Sequence, residues 1–163
     1  MPFGDSITEI VCWRGLLWTK LQEAGFTNID FVGSGTNQNP AGCSTATYDK
    51  DNEGHSGFLA IDIANKKQLV GWLQKNPADI ITMHLGTNDI GAQHETADII
   101  TALTTLIKVM RDSNPNMKII VSASIGNALY LGSTHAGDIR TEYYRLPRLF
   151  QLQLATIKPA SRL

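Results

Sequence analysis

Three short polar corners of the 163-residue chain carry residue types suited to acyl transfer. Gly4-Asp5-Ser6 follows an apolar start and offers a serine hydroxyl. Glu53-Gly54-His55-Ser56-Gly57 offers a backbone N–H at a flexible glycine, and Gly86-Thr87-Asn88-Asp89 offers a side-chain amide. A serine that attacks an ester carbonyl generates an oxyanion, and the loss of one donor held around it costs about 3–4 kcal/mol. Ser6 is therefore a candidate nucleophile, with Gly54 and Asn88 as candidate donors. Ser6-Ile7-Thr8-Glu9 equally fits the S-x-x-E capping box, in which Ser and Glu only satisfy helix-start donors. That reading does not account for the other two corners.

The corners can act together only if the elements around them bring them to one place. Leu16, Leu17, Leu21 and Ala24 recur at helical spacing between Val11 and Ala24, and Gly25 supplies a stop. Asn28 to Val32 reads as a strand, and 36–57 as a long polar loop beside the site. Ile61 to Gln74 is a second helical pattern closed by Asn76-Pro77. Asp79 to Leu85 is an apolar strand that runs into the third corner. Ile99, Ile100, Leu103, Leu106, Ile107 and Met110 mark a helix over Thr96 to Asp112, and Met117 to Val121 a further strand. This alternation predicts a three-layer α/β/α domain with a parallel sheet. Strand carboxyl ends of such a sheet share one edge, so the first and third corners converge.

Composition narrows the function classes. With 42% hydrophobic residues the chain suffices for one domain. A net charge of −1 excludes a nucleic-acid or membrane surface as the default, and no apolar run spans a bilayer. The chain opens directly on a short first strand without a signal-peptide pattern, so either the protein is cytosolic or its start has been removed; the brevity of that strand favours removal. Cys12 and Cys43 are two buried thiols or, in a secreted protein, one disulfide. Asp49-Lys50-Asp51-Asn52-Glu53-Gly54 imitates a calcium loop, but its twelfth position is Ala60 and an EF-hand is rejected. Beyond Ser122 the pattern weakens. Residues 134–163 hold five Lys/Arg against two Asp/Glu, whereas 1–133 hold nine against thirteen. A helix over roughly 137–157, interrupted at Pro147, follows, and no final apolar strand is visible.

Gly4-Asp5-Ser6-Ile7-Thr8, Gly54 and Gly86-Thr87-Asn88-Asp89 resemble the first, second and third blocks of the SGNH, or GDSL-type, hydrolases. The longer matches around them are most similar to carbohydrate esterase family 3, the acetylxylan esterases and their relatives. The resemblance covers residues 1–121. It implies a flavodoxin-like sheet of about five strands, incomplete here at the C-terminus, with 1–125 as the hydrolase-like domain and 126–163 as a segment that departs from the family pattern. It also implies that Ser6 is the nucleophile and that Ser6 N–H, Gly54 N–H and the Asn88 side chain form the oxyanion hole. No metal or organic cofactor is implied. The expected partner is an acetylated plant cell-wall carbohydrate such as xylan, met outside the cell by a monomer, with no nucleic acid and no membrane. A lipase, lysophospholipase or thioesterase is the enzymatic alternative.

The family's last block, an Asp three residues before a catalytic His, has no counterpart here. His55, His84, His94 and His135 are preceded at that position by Asn52, Ile81, Gly91 and Gly132. His55 lines the site or is structural, His84 reads as a packed core residue, and His94 as a surface one. His135, near Asp138, is the one histidine in the right region. A catalytically silent or sugar-binding chain is therefore the alternative from another class. Trp13, Trp18 and Trp72 stack on sugars or pack the core. Arg14 bonds a substrate hydroxyl or forms a surface ion pair, and Asp5 and Asp89 hold the backbone N–H groups of their corners.

Overall fold

The structure, a computed structural model, describes residues 1–36 and 47–122. Cys43, His135, Asp138, the expected helix over 137–157 and the segment 126–163 lie outside the described residues. Four strands form one parallel sheet in the order β2-β1-β3-β4: β1 Pro2–Gly4, β2 Glu53–Gly54, β3 Ile80–His84 and β4 Lys118–Val121. Gly4 is registered with Gly54 on one side and His84 on the other. β1 is thus central, and the corners that follow β1, β2 and β3 emerge on the same edge.

Strand alternation decides what each face covers. Phe3, Ile81 and Met83 are fully buried and join one core cluster with Ile90 and with residues of α3 (Ala60–Asn65), α4 (Gln68–Lys75) and α6 (Thr96–Ser113). The stripe Ile99, Ala102, Leu103, Leu106, Ile107 and Met110 of α6 is the buried one. Its opposite face carries Thr101, Thr104 and Thr105, whose hydroxyls donate to carbonyls one turn back. Helix α1 (Ser6–Ile10) lies over the other face of the sheet, where Gly4 and Gly54 leave room for it. Helices α2 (Trp13–Glu23) and α5 (Thr87–Gly91) complete the set.

Several boundaries differ from the sequence expectation, and the loop expected over 36–57 contains the short strand β2. The helical pattern over Val11 to Ala24 is α2, which Gly25 ends at φ +85°, but a separate short helix, α1, precedes it from Ser6, parted from it by the extended backbone of Val11. The pattern over 61–74 divides at Lys67, a left-handed residue with φ 53°, into α3 and α4. Asn28 to Val32 is not a strand. The edge of β1 that it would pair with is taken by β2, and Phe31 N–H donates instead to Asp49 Oδ2 at 2.6 Å. Its apolar residues reflect packing: Phe31 meets Trp18 of α2 edge to face at 5.3 Å, and Val32 packs against the core cluster.

Candidate active site

The first corner is built by Gly4 and Asp5. A Cβ on Gly4 would lie 2.3 Å from Thr8 Oγ1 and 2.4 Å from the His84 carbonyl oxygen, so only glycine lets α1 fold back this tightly over β1. Asp5 is the N-cap: its Oδ1 accepts from Ile7 N–H at 2.9 Å, and its carbonyl accepts from Thr8 and Glu9 N–H. Ser6 is then the first helical residue, half-buried, and its N–H belongs to the first-turn donors that no helix carbonyl reaches. The capping-box reading fails in detail, because Glu9 Oε2 accepts from Ser56 N–H at 2.6 Å and so reaches the second corner. Capping falls to Asp5, and the Ser6 hydroxyl is left for other work.

The second corner is equally tight. A Cβ on Gly54 would lie 2.6 Å from Glu9 N and 2.8 Å from Glu9 Cα, so α1 rests directly on this residue. Gly54 N–H donates to Asn52 Oδ1 at 2.9 Å. Buried Asn52 in turn donates to the carbonyls of Gly35 and Lys50. His55 N–H donates to the Gly4 carbonyl, which ties this corner to the one bearing Ser6.

The third corner starts at Gly86, φ +105°, the N-cap of α5. Asn88 Nδ2 donates to the Phe58 carbonyl at 2.9 Å, which uses one of its two amide hydrogens. Asp89 does not serve its own corner. It is fully buried and accepts from Ala60 and Ile61 N–H at 2.8 and 3.0 Å, so it caps α3 from a distant part of the chain.

Arg14 is neither a substrate contact nor a surface ion pair. Its guanidinium is buried and donates to the carbonyls of Thr8, Lys50 and Glu9 at 2.8, 2.7 and 2.9 Å, over the Tyr48 ring. Two of these are carbonyls at the end of α1, which a helix that short cannot satisfy itself. Burial pulls its pKa down, against the opposing charges of Tyr48, Glu9 and Asp49. The tryptophans are half-buried: Trp13 Nε1 donates to the Ile7 carbonyl, Trp18 packs on Phe31, and Trp72 packs on His55 and Phe3. Cys12 is disulfide-bonded and not a free thiol.

Two carboxylates near the corners are shifted in opposite directions. Burial pushes Asp5 up, against the Ile7 N–H and the charge of His84, and its buried Oδ2 has no partner among the described residues. Burial also pushes Glu53 up, but hydrogen bonds from His55 and from the Ser34 hydroxyl and amide outweigh it and leave Glu53 below the ordinary range. The pair of Glu53 and His55, 2.7 Å apart, is a feature that sequence reasoning missed. No periodicity signalled it, since 36–57 reads as a loop and His55 lies just past the two-residue strand β2. Among the described residues no imidazole is hydrogen-bonded to Ser6: His55 holds Glu53, His84 ends β3 half-buried, and His94 is exposed. No described group of three or more His, Cys, Asp or Glu is placed to hold a metal.

The arrangement therefore sets one half-buried serine on the central strand's corner, flanked on one side by Gly54 and on the other by Asn88. Similar arrangements are found among known proteins. The chain is 38% identical to a carbohydrate esterase family 3 protein from Talaromyces cellulolyticus, with a TM-score of 0.82 over 89% of this chain and 70% of that one. It is 36% identical to an acetyl esterase solved as a serine-to-alanine mutant with acetate ion, with a TM-score of 0.78 over 89% of this chain and 70% of that one. A family 3 carbohydrate esterase of Clostridium thermocellum is 28% identical, with a TM-score of 0.69 over 97% and 73%. A multidomain esterase of Ruminococcus flavefaciens is 30% identical over 85% of this chain, which spans 21% of the length of that relative. Residues 3–155 match the model of the GDSL-like lipase/acylhydrolase family, to which this chain belongs.

Proposed function

We propose that the chain is a serine esterase scaffold of the SGNH type that hydrolyses acetyl and other short acyl esters on carbohydrate. The observation that carries this reading is the position of Ser6 on the central corner of a parallel edge, between the corners of Gly54 and Asn88. Ser6 Oγ attacks the ester carbonyl and loses its proton to a base, the sugar oxygen leaves with a proton, and water then releases acetate from the acyl-serine. The charge that develops on the carbonyl oxygen is met by Ser6 N–H and the second Asn88 amide hydrogen. Gly54 N–H, already on Asn52 Oδ1, joins them as a shared donor.

The carbohydrate part of the reading is supported by the family 3 neighbours and the acetyl part by the acetyl esterase with acetate ion. The reading extends, on the family resemblance alone, to a plant polysaccharide such as xylan met outside the cell by a monomer. No helix among the described residues is long and apolar enough to cross a membrane. The missing Asp-x-x-His favours a second reading, a catalytically silent chain. The deciding experiment is acetate release from acetylated xylan together with fluorophosphonate labelling. Both lost in Ser6→Ala supports the esterase. Turnover indifferent to Ser6→Ala rejects the nucleophile, and an unlabelled Ser6 without turnover selects the silent chain.

A further inference from the structure

We propose that Glu53 and His55 are positioning residues for Asn88, acting on its amide through Phe58; the catalytic meaning of this rests on Asn88 being an oxyanion donor. Glu53 is 0% exposed, and its carboxylate accepts from Ser34 N–H at 2.9 Å, the Ser34 hydroxyl at 2.7 Å and His55 Nε2 at 2.7 Å. Because an ionised carboxylate only accepts, Nε2 carries the hydrogen and the ring orientation is fixed. The ring is also clamped on both sides, 4.9 Å from Phe58 at 21° and 4.4 Å from Trp72 at 18°. Phe58 N–H closes a turn onto the His55 carbonyl at 3.2 Å. The carbonyl of that same Phe58 is what receives Asn88 Nδ2.

Contacts thus run without a gap from a buried carboxylate to the amide. A planar amide with one hydrogen on Phe58 O has its second hydrogen aimed in a set direction, so turning the carbonyl turns the aim. A buried carboxylate held by hydrogen bonds is a weak source of stability compared with an apolar residue of the same size, whereas holding a geometry is a use for which it is suited. The neighbouring contact of Ala60 and Ile61 N–H on Asp89 provides an internal control, because it depends on α3 and not on the His55 ring.

The test is side-chain amide NMR of the full 163-residue chain labelled with nitrogen-15. The Asn88 NH2 pair is identified by its loss in Asn88→Ala. Glu53→Gln and His55→Ala are each expected to move that pair toward free-amide positions and to speed its hydrogen exchange roughly tenfold, while the Ala60 and Ile61 amides hold their places. If either variant does not fold, His55→Phe keeps the stack, removes the donor and is read in the same way. An unmoved Asn88 pair overturns the proposal, and so does an equal loosening of Ala60 and Ile61. The readout needs no turnover, so it separates the two ideas: Asn88 shifted with Ser6-independent acetate release defeats the esterase reading alone, and Asn88 unmoved with Ser6-dependent release defeats the positioning alone.

Discussion

Gly4 and His84 stand side by side in β1 and β3, and the His84 carbonyl oxygen occupies the space into which a Gly4 side chain would grow, 2.4 Å from where its Cβ would be. A sheet backbone cannot retreat from such a contact as a flexible side chain can. Gly4→Ala is therefore expected to destabilise the fold by about 3 kcal/mol, at the upper end of overpacking. The variant Thr8→Ala, which clears the second nearby atom, should not rescue it. Urea unfolding of the single and double variants checks this, and full rescue would show that the strand contact is not the obstacle.

Ser6 and Asp5 should separate activity from stability. Since Asp5 makes the cap, Ser6→Ala should abolish serine-dependent acetate release while shifting stability by no more than about 0.5 kcal/mol. Asp5→Ala should cost about 1 kcal/mol through the lost cap. Asp5→Asn retains a capping oxygen and removes a carboxylate whose buried Oδ2 has no partner among the described residues, so its stability at neutral pH should equal or exceed that of the parent. Thermal unfolding of the three variants, set beside their acetate release, reads both effects.

Arg14 holds three carbonyls, two of them at the end of the helix that carries Ser6; the third, that of Lys50, also accepts from Asn52. Arg14→Met keeps much of the side-chain volume and removes every donor. A loss of about 2–5 kcal/mol is expected from chemical denaturation, since each buried carbonyl left alone costs about 1–3 kcal/mol. A loss under about 1 kcal/mol would mean that water reaches those carbonyls without difficulty.

Glu53 gives the fold a pH dependence with a definite sign. Its folded pKa lies below the ordinary 4.5, so its contribution is complete above that value and is lost as the pH falls through the folded pKa. Asp5 works in the other direction: raised above 3.8, it favours the folded state at low pH and loses that contribution as the pH rises through its folded pKa. Urea midpoints measured from pH 7 down to pH 3 should show Glu53→Gln with a shallower acid loss than the parent. An identical slope in both would show that the Glu53 carboxylate is not better held in the folded state than in the unfolded chain.

Much of this architecture was legible in the residue order. The apolar stripe from Ile99 to Met110, the strands from Ile80 and Lys118 and the stop at Gly25 follow from periodicities set within a few residues. The Gly4-Asp5-Ser6 and Gly86-Thr87-Asn88-Asp89 corners were legible for the same reason. The short helix Ser6–Ile10 and the break at Lys67 were not, the first because five residues are too few to show a helical period, the second because lysine has no breaking tendency of its own. The segment from Asn28 to Val32 has the composition of a strand, yet its Phe31 amide is taken by Asp49, eighteen residues away.

The amino-acid sequence alone determined which residue types follow the first and third strands, hence the parallel α/β class and a serine and an asparagine available at one edge; the glycine joined them there because Glu53–Gly54, within an expected loop, pairs with β1 as β2. Only the tertiary structure decided what each of them touches. It made Asp5 the cap and released Ser6, spent Gly54 N–H on Asn52 and one Asn88 hydrogen on Phe58, turned Arg14 inward, and joined Glu53 to His55. The division has a physical cause. Helix and strand periodicity is encoded in neighbours along the chain, whereas a buried donor takes whichever acceptor the packing brings within about 3 Å, and that acceptor can lie anywhere in the sequence.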